Sequence, residues 1–411
     1  MRVLFSSCHN YLDPTSGAAI STRALLRELV KRGVETRAFC GSFFDGRDFT
    51  EADFIALLSR LGLKANIETF RVKMKDRSTE FKLARFNDSG IDATVFLPNG
   101  AFDRSRPSGY LSEITGKLFL KLFFAELDKF QPDVYASYGG YWAAPYAAEG
   151  AKRGGAANVF FLHNLAYRRR ELFDFFDLVV VPSEFAKKRY SEKLGICTEA
   201  VPPVIDETLV VSDSYEPRWI TFINPSVEKG LYFFLGIALE LNRRLPDAPI
   251  LVVESRAKID ALTSIPEARA LTNLYFSGSL DEPREIYRQS KILLIPSLCE
   301  ETFCRVAVEG ALNGVPIVGS DRGALPEVVG NKSLTLAVPA RFTASTRIVP
   351  ELSEVAPWIK AIVSLWNDED KRKAVGAELR RYAARFSCEN SVARMIELLR
   401  KTADAHAKKS L

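Results

Sequence analysis

The chain has 411 residues, 47% of them hydrophobic, which is enough for two domains with packed cores of ordinary size. Its formal net charge of +5 does not indicate a nucleic-acid-binding surface. The six cysteines include no C-x-x-C pair, so neither a zinc site nor a redox motif is indicated, and a reducing compartment is the simplest setting. The first apolar run is too short for a signal peptide, and no stretch approaches a membrane span. We therefore expect a cytoplasmic protein whose membrane contact is at most peripheral.

Strands and helices alternate along the first half of the chain, a pattern typical of parallel α/β architecture. The predicted strands of this half are residues 2–6, 35–39, several within 67–98, 132–135, 159–162 and 178–181. Its predicted helices are residues 20–32 and 109–130, and the second contains KLFLKLFF, which we expect to pack into the sheet. Basic clusters at 168–170 and 187–189 are interpreted as solvated faces, with a membrane-surface role as the alternative. A proline-rich, polar segment at 201–217 predicts a linker.

A second α/β series follows the linker. Its predicted strands are residues 219–223, 250–253, 274–276, 292–295, 316–319 and 334–337. A helix is predicted from the Lys229-Gly230 turn to about residue 244, another over 302–312, and helical structure over about 353–401. We therefore divide the chain into a first Rossmann-like domain at 1–205, a second at 206–385, and a C-terminal helix and tail at 386–411.

The stretch PSLCEETFCRVAVEGALNGVPIVGSDRGALPEVV, residues 296–329, carries the strongest functional signal. Glu301 and Glu309 are separated in it by seven residues. A helix starting at Thr302 would offer its N-terminus to a diphosphate. Glu309 would then lie roughly 12 Å further along the helix axis. A nucleotide sugar, with hydroxyls on both sides of a diphosphate, fits this spacing; the alternative is a surface helix with two solvated carboxylates.

The flanks of the glutamate pair favour the first interpretation. With its Pro-Ser lead-in, its Gly-x-Pro strand entry and the turn Gly323-x-x-Pro326-Glu327, the stretch resembles the donor-site signature of retaining, B-type glycosyltransferases of family four. The resemblance implies two Rossmann-like domains that face a central cleft, with the last helix crossing back to the first domain. It also implies that Glu301 contacts the donor sugar and that Glu309 holds the ribose.

The implied reaction moves a sugar from a nucleoside-diphosphate sugar to a hydroxyl acceptor, namely a glycan, a lipid-linked sugar or a small-molecule glycoside. The resemblance implies retention of anomeric configuration, no cofactor and no metal. The string Asp368-Glu369-Asp370 matches a metal-diphosphate motif of a different glycosyltransferase fold, but its position at a predicted helix start favours a capping role.

Further donor-site residues follow from the resemblance. Lys229, after the first strand of the second domain, takes the place of a lysine that contacts the donor phosphates. The family usually has an arginine five residues earlier, where this chain has Asn224, and Arg322 is our candidate to compensate. The diphosphate would lie near the backbone of Thr302, Phe303 and Cys304.

The first domain contributes two candidates. Gly17 belongs to the loop HNYLDPTSGAAIST, which resembles the family's glycine-rich loop but has Ala18 in place of a second glycine. His163 ends the apolar run VFFLHN, where the family has a histidine that faces the donor sugar. The predicted catalytic residues are thus His163, Glu301 and Lys229, while His406 is expected to lie in a frayed basic tail.

Two rival functions are weighed against this one. A dinucleotide-dependent oxidoreductase would need G-x-G-x-x-G after the first strand of either half, and neither half has it. A non-catalytic nucleotide-sugar or glycan-binding relative remains open, because Asn224 and the reduced glycine loop depart from the family pattern.

Overall fold

The computed structural model describes residues 1–44, 50–74, 77–98, 113–278 and 282–410. The chain forms two compact units. Unit 1 comprises Met1–Pro182, Lys187–Val204 and Ser391–Leu411, and unit 2 comprises Ser183–Ala186 and Ile205–Asn390. Within the described ranges, no helix is both long enough and apolar enough to cross a membrane.

Unit 1 is built on a nine-stranded sheet. Its strands are β1 Arg2–His9, β2 Glu35–Phe43, β3 Asn66–Met74, β4 Arg77–Asp88, β5 Ile91–Pro98, β6 Val134–Ser137, β7 Ala157–Phe161, β8 Leu178–Val181 and β9 Glu199–Ala200. They follow the order β3-β4-β5-β2-β1-β6-β7-β8-β9. The β3–β4 and β4–β5 pairs are antiparallel and the others are parallel, so strands β3 to β5 add an antiparallel part to the predicted parallel α/β architecture.

The helices of unit 1 cover the sheet. They are α1 Gly17–Lys31, α2 Glu51–Arg60, α3 Glu113–Phe130, α4 Ala144–Arg153, most of α5 Glu184–Leu194, and the end of the last helix, α14 Cys388–Ser410. Helix α3 carries KLFLKLFF, and its Phe119 and Phe123 are fully buried in the core, as predicted. Positions 109–112 of the predicted helix lie outside the described residues. Helix α2 was not predicted, although Thr50 and Asp53 form a capping box at its start.

Unit 2 contains a six-stranded sheet whose strand pairs in the described residues are all parallel. Its strands are β10 Trp219–Ile223, β11 Ile250–Val253, β12 Leu274–Ser277, β13 Ser290–Ile295, β14 Ile317–Ser320 and β15 Thr335–Leu336, in the order β12-β11-β10-β13-β14-β15. Buried apolar side chains from the strands and helices of unit 2 form one hydrophobic core, which includes the fully buried Trp358. The second Rossmann-like series is therefore confirmed.

The helices of unit 2 are α6 Glu207–Val210, α7 Leu231–Arg244, α8 Asp260–Thr263, α9 Arg284–Gln289, α10 Arg305–Leu312, α11 Leu325–Val329, α12 Leu352–Asn367 and α13 Glu369–Ala383. Asp368 accepts the amide of Lys371 at 2.9 Å and so caps α13, as predicted for the acidic string.

The last helix, α14, returns to the first domain as predicted, because its residues from Ser391 onward belong to unit 1. The expectation for His406 was wrong. His406 lies within this helix with its side chain only 11% exposed, and its Nδ1 is 3.5 Å from the Asp177 carboxylate. The sequence of this segment shows only a basic tail. Its contact with Asp177 is a tertiary contact, which no local pattern predicts.

Candidate functional site

In unit 2, the candidate site lies where the strand order reverses. The chain passes from β10 outward to β11 and β12, then returns to place β13 on the other side of β10. In open parallel sheets, ligands bind outside the carboxyl ends of the strands at such a reversal. The two segments that leave β10 and β13 at this point, residues 224–230 and 296–304, contain most of the predicted donor-site residues.

These two segments are in direct backbone contact. The amides of Leu298 and Cys299 donate to the carbonyl of Glu228 at 2.9 and 3.1 Å. Gly230 has φ +87°, and a Cβ there would lie 2.0 Å from the carbonyl oxygen of Pro296. Glycine is required for both reasons, since it alone accepts this conformation and this close approach freely. The contact brings Lys229 beside the segment that contains Glu301.

Lys229 and Glu301 form a close ion pair. The Lys229 Nζ lies 2.6 Å from Glu301 Oε1, and the Ser297 hydroxyl donates to the same oxygen at 2.5 Å. The Glu301 side chain is 9% exposed. Burial lowers the pKa of Lys229, but the Glu301 carboxylate outweighs it and holds that pKa above its usual range. The lysine is therefore a fixed positive charge near the carboxyl end of β10.

The backbone of Glu301 is also bound by the turn after β14. Glu301 forms a bridge with Gly323, and the amide of Ala324 donates to the Glu301 carbonyl at 2.8 Å. Gly323 has φ +66°, and a Cβ there would come within 2.2 Å of that carbonyl oxygen. The Gly323-x-x-Pro326-Glu327 turn thus has a local physical role, which is to position Glu301.

The helix after Glu301 starts later than predicted. Cys304 has φ +73°, in the left-handed region, and α10 begins at Arg305 rather than at Thr302. The Thr302 carbonyl accepts the Ser183 hydroxyl at 2.6 Å, and Phe303 packs edge-on against Phe386. A non-glycine residue in the left-handed region cannot belong to the helix, and nothing in the sequence marks Cys304 as that residue.

This later start corrects the expected spacing of the two glutamates. Only the stretch from Arg305 to Glu309 is helical, a rise of roughly 6 Å rather than roughly 12 Å. Glu301 is placed by its bridge to Gly323 and not by the helix axis. Glu301 therefore lies before the helix, in the segment that bridges to Gly323, and Glu309 lies within α10. The distance between the two glutamates is not set by one helix axis.

Glu309 is bound by two side chains that were not predicted. The Tyr287 hydroxyl donates to Glu309 Oε2 at 2.6 Å, and the Arg305 Nη2 lies 2.9 Å from Oε1. The Glu309 side chain is 9% exposed and that of Arg305 is 16% exposed. Burial, and then the Glu309 carboxylate, raise the pKa of Tyr287 well above its usual value, so the phenol stays a donor. The i,i+4 spacing of Arg305 and Glu309 was a visible signal for their pairing; Tyr287, on α9, gave none.

Asn224 and Arg322 both bind backbone. Asn224 has φ +65°, which asparagine tolerates better than arginine, and its Oδ1 accepts the amide of Ala257 at 2.9 Å. The Arg322 Nη2 donates to the carbonyls of Val338 and Phe342 at 3.1 and 3.2 Å. To bind a donor phosphate, as predicted, Arg322 would first have to leave these carbonyls.

The remaining two candidates lie in unit 1. His163 follows β7 and lines a pocket with Ser21 and Thr22 of α1. Its ring packs edge-on against Tyr138, with 5.5 Å between ring centroids. Gly17 is the first residue of α1, one turn before Ser21. The structure thus brings His163 to the helix that Gly17 begins, while the predicted contacts of both residues with a donor stay predictions.

The two cysteines that flank Glu301 have raised thiol pKa values. Burial, and then the Glu301 carboxylate, raise the pKa of Cys299 to about 11, and they raise the pKa of Cys304 above its usual range. Both thiols are therefore protonated near pH 7, and the protonated thiol is the less nucleophilic form. Among the described residues, no group of three or more His, Cys, Asp or Glu is placed to hold a metal ion.

Sequence comparison finds relatives for the region that contains this site. Residues 218–368 match the model of the family described as glycosyl transferases group 1. Unit 2 is similar in sequence to that family. A D-inositol 3-phosphate glycosyltransferase of Corynebacterium urealyticum is 26% identical over 182 residues, 42% of this chain and 40% of that protein. A lipopolysaccharide 1,2-N-acetylglucosaminetransferase of Salmonella typhimurium is 26% identical over 181 residues, 37% of this chain and 46% of that protein. The alignments thus span less than half of each relative.

Comparison with solved structures covers nearly the whole chain. The structure of Anabaena HepE in complex with UDP and glucose matches 98% of this chain and 100% of that chain, with a TM-score of 0.68 and 17% identity. At this identity the likeness shows the fold alone. The predicted two-domain α/β fold of the B type is therefore confirmed.

Proposed function

We propose that the protein is a glycosyltransferase that moves a sugar from a nucleoside-diphosphate sugar to a hydroxyl acceptor. Glu301 orients the hydroxyls of the donor sugar, Glu309 holds the ribose, and Lys229 neutralises the diphosphate as it leaves. His163 is the catalytic residue that we propose in unit 1. The setting we expect is cytoplasmic.

One observation carries this proposal. Lys229 is held 2.6 Å from Glu301 at the strand-order reversal of unit 2, inside the segment that matches the glycosyl transferase family. A partly buried lysine paired with a carboxylate, at the carboxyl ends of the strands, supplies a fixed positive charge where a leaving diphosphate develops negative charge. The glycosyltransferase names of the relatives support the same reaction class.

We further propose that the reaction retains anomeric configuration and requires no metal. The bond from the anomeric carbon to the diphosphate breaks, and a bond to the acceptor oxygen forms on the same face. The acceptor proton passes to the leaving diphosphate. Lys229 stabilises that leaving group as its charge grows, so no enzyme nucleophile is needed. Product anomer analysis by NMR and assays in excess EDTA test these two points: an inverted product or loss of transfer in EDTA would contradict them.

The decisive experiment has two stages. Thermal unfolding with UDP, GDP, ADP, CDP and dTDP should show one nucleotide that raises the melting temperature most, because a ligand of the native state stabilises it by about 2.7 kcal/mol at a hundred times its Kd. Donor hydrolysis is then measured with sugars on that nucleotide. We expect Lys229→Ala to lower kcat/KM and Glu309→Ala to raise the donor KM.

A matched control removes a lysine from an ion pair elsewhere in unit 2. Lys373 pairs with Glu369 at 2.7 Å on α13, where both side chains are exposed, so Lys373→Ala should keep wild-type kinetics. Wild-type kinetics in both Lys229→Ala and Glu309→Ala would contradict the site. A nucleotide that binds without any hydrolysis or transfer would favour a non-catalytic binding protein instead.

A further inference from the structure

Two ion pairs lie in the segments that follow β10 and β13 of unit 2. Glu301 pairs with Lys229 at 2.6 Å, and Glu309 pairs with Arg305 at 2.9 Å. In the described part of the chain, each carboxylate pairs with one of these two cations, and the charges of the four side chains sum to zero. A diphosphate brings at least two negative charges, and Lys229 alone, with Glu301 beside it, does not balance them.

Arg305 is the second cation, and its placement allows it to move. Its side chain is 16% exposed, so it is only partly buried. The Tyr287 hydroxyl holds Glu309 Oε2 at 2.6 Å, so the carboxylate stays oriented when Arg305 leaves Oε1. A guanidinium presents a planar fork of donors that matches phosphate oxygens, which an ammonium does not.

We propose that Arg305 binds the diphosphate of the donor nucleotide, and that it moves there from Glu309 when the nucleotide enters. The move leaves Glu309 Oε1 to accept a ribose hydroxyl. One side chain thereby links recognition of the phosphates to recognition of the ribose. This inference rests on the proposed function of the same site.

The test compares a nucleoside diphosphate with its parent nucleoside. The probe is whichever of UDP, GDP, ADP, CDP and dTDP binds the wild type most tightly, and both dissociation constants are measured by calorimetry or NMR titration. Arg305→Gln should weaken the nucleoside diphosphate about 10- to 100-fold, the loss of one charge-assisted contact. It should change the nucleoside less than about threefold, because Tyr287 still orients Glu309.

Tyr287→Phe is the matched control on the same carboxylate. It removes the hydroxyl that orients Glu309 without changing any charge, so it should weaken the nucleoside and its diphosphate by the same factor. Arg305→Lys keeps the charge but not the planar fork, and we expect an intermediate loss of about 3- to 10-fold confined to the diphosphate. This variant also serves if Arg305→Gln does not fold, as judged by its melting curve.

Two results would overturn the inference. Equal weakening of nucleoside and diphosphate in Arg305→Gln would mean that Arg305 only orients Glu309. Unchanged diphosphate affinity in that variant would mean that Arg305 does not contact the phosphates. Failure of all five diphosphates to bind the wild type is a different result, since it overturns the proposed function itself and this inference with it.

Discussion

Asp88 in unit 1 and Glu309 in unit 2 are buried carboxylates that are both bound by arginine and tyrosine side chains. They differ in the number of arginines. In unit 1, Asp88 ends β4, and its side chain is 0% exposed. Its oxygens accept from Arg23 at 2.8 and 3.0 Å and from Arg27 at 3.1 and 2.5 Å. The Tyr11 hydroxyl adds a longer contact of 3.3 Å. Asp88 therefore binds two arginines and one tyrosine hydroxyl. Because both arginines belong to α1, these contacts hold α1 against the end of β4.

Glu309 in unit 2 has one cation and one phenol, Arg305 and Tyr287. Its side chain keeps 9% of its surface exposed, whereas that of Asp88 keeps none. An ionised carboxylate can accept about four hydrogen bonds, so Glu309 has capacity for a ligand. We infer that the number of cations separates the two roles: the sealed carboxylate with two arginines stabilises the fold, and the one with a single arginine binds.

The largest expected effect tests the structural half of this comparison. Asp88→Ala leaves two partly buried guanidinium groups without their carboxylate, so it should lower the free energy of unfolding by about 3 to 5 kcal/mol. Urea denaturation followed by circular dichroism measures this loss. As a control, Glu369→Ala breaks an exposed pair with Lys373 and should cost at most about 1 kcal/mol. A loss below about 1 kcal/mol in Asp88→Ala would remove the distinction between the two carboxylates.

The second prediction tests the binding half. Glu309→Ala should lower the free energy of unfolding by only about 1 to 2 kcal/mol, because the partly exposed Arg305 can turn to water. It should also weaken the best-bound nucleoside diphosphate at least tenfold, a loss of about 1.4 kcal/mol or more in binding free energy. Folded Asp88→Ala should bind that nucleotide as the wild type does. The comparison fails if the two variants show the same pattern in denaturation and calorimetry.

How much of this was visible in the sequence depends on whether a feature is local. The strands at 178–181, 219–223 and 250–253 have the predicted bounds, since each is a short apolar run between polar turns. The antiparallel strands β3 to β5 were predicted only as strands, because apolar pattern does not encode strand direction. The antiparallel pairing of β4 with β5 follows from the tight turn at Ser89 and Gly90, both of which have positive φ.

At the site, the residues that a motif names were predicted and the contacts between them were not. The pair Lys229 and Glu301 joins positions 72 residues apart, and the contact depends on Gly230 lacking a Cβ. The left-handed Cys304 delays α10 by three residues, which no propensity indicates. Tyr287 lies on α9, 22 residues before Glu309 in the chain, so only the folded structure reveals their contact.

The third prediction uses pH to isolate Asp88. Burial raises the pKa of Asp88, but the two arginines outweigh it and hold the pKa below its usual value. A carboxyl group with a depressed folded-state pKa stabilises the protein above its unfolded-state pKa of about 3.9. That contribution is lost as the pH falls through the lower, folded-state pKa. The difference in unfolding free energy between the wild type and Asp88→Asn should therefore be constant near neutral pH and shrink in acid, by about 1.4 kcal/mol for each unit of depression. A difference that grows as the pH falls would contradict this assignment.

The smallest expected effects come from the two phenols. Both Tyr11 and Tyr287 are buried, and in each case burial and then the neighbouring carboxylate raise the pKa of the phenol well above its usual value, so both are donors at neutral pH. Tyr287 donates to Glu309 over 2.6 Å, whereas Tyr11 reaches Asp88 over 3.3 Å. Replacement by phenylalanine keeps the ring volume and removes only the hydroxyl.

We therefore expect Tyr11→Phe to lower the free energy of unfolding by at most about 1 kcal/mol, and Tyr287→Phe to lower it by more, since shorter bonds to charged acceptors are stronger. Urea denaturation of both variants under one set of conditions gives the ranking. A larger loss of unfolding free energy in Tyr11→Phe than in Tyr287→Phe would contradict this ranking. It would mean that Asp88 depends strongly on the Tyr11 hydroxyl even though two arginines already bind it. Counting cations would then no longer distinguish a carboxylate that stabilises the fold from one that binds a ligand.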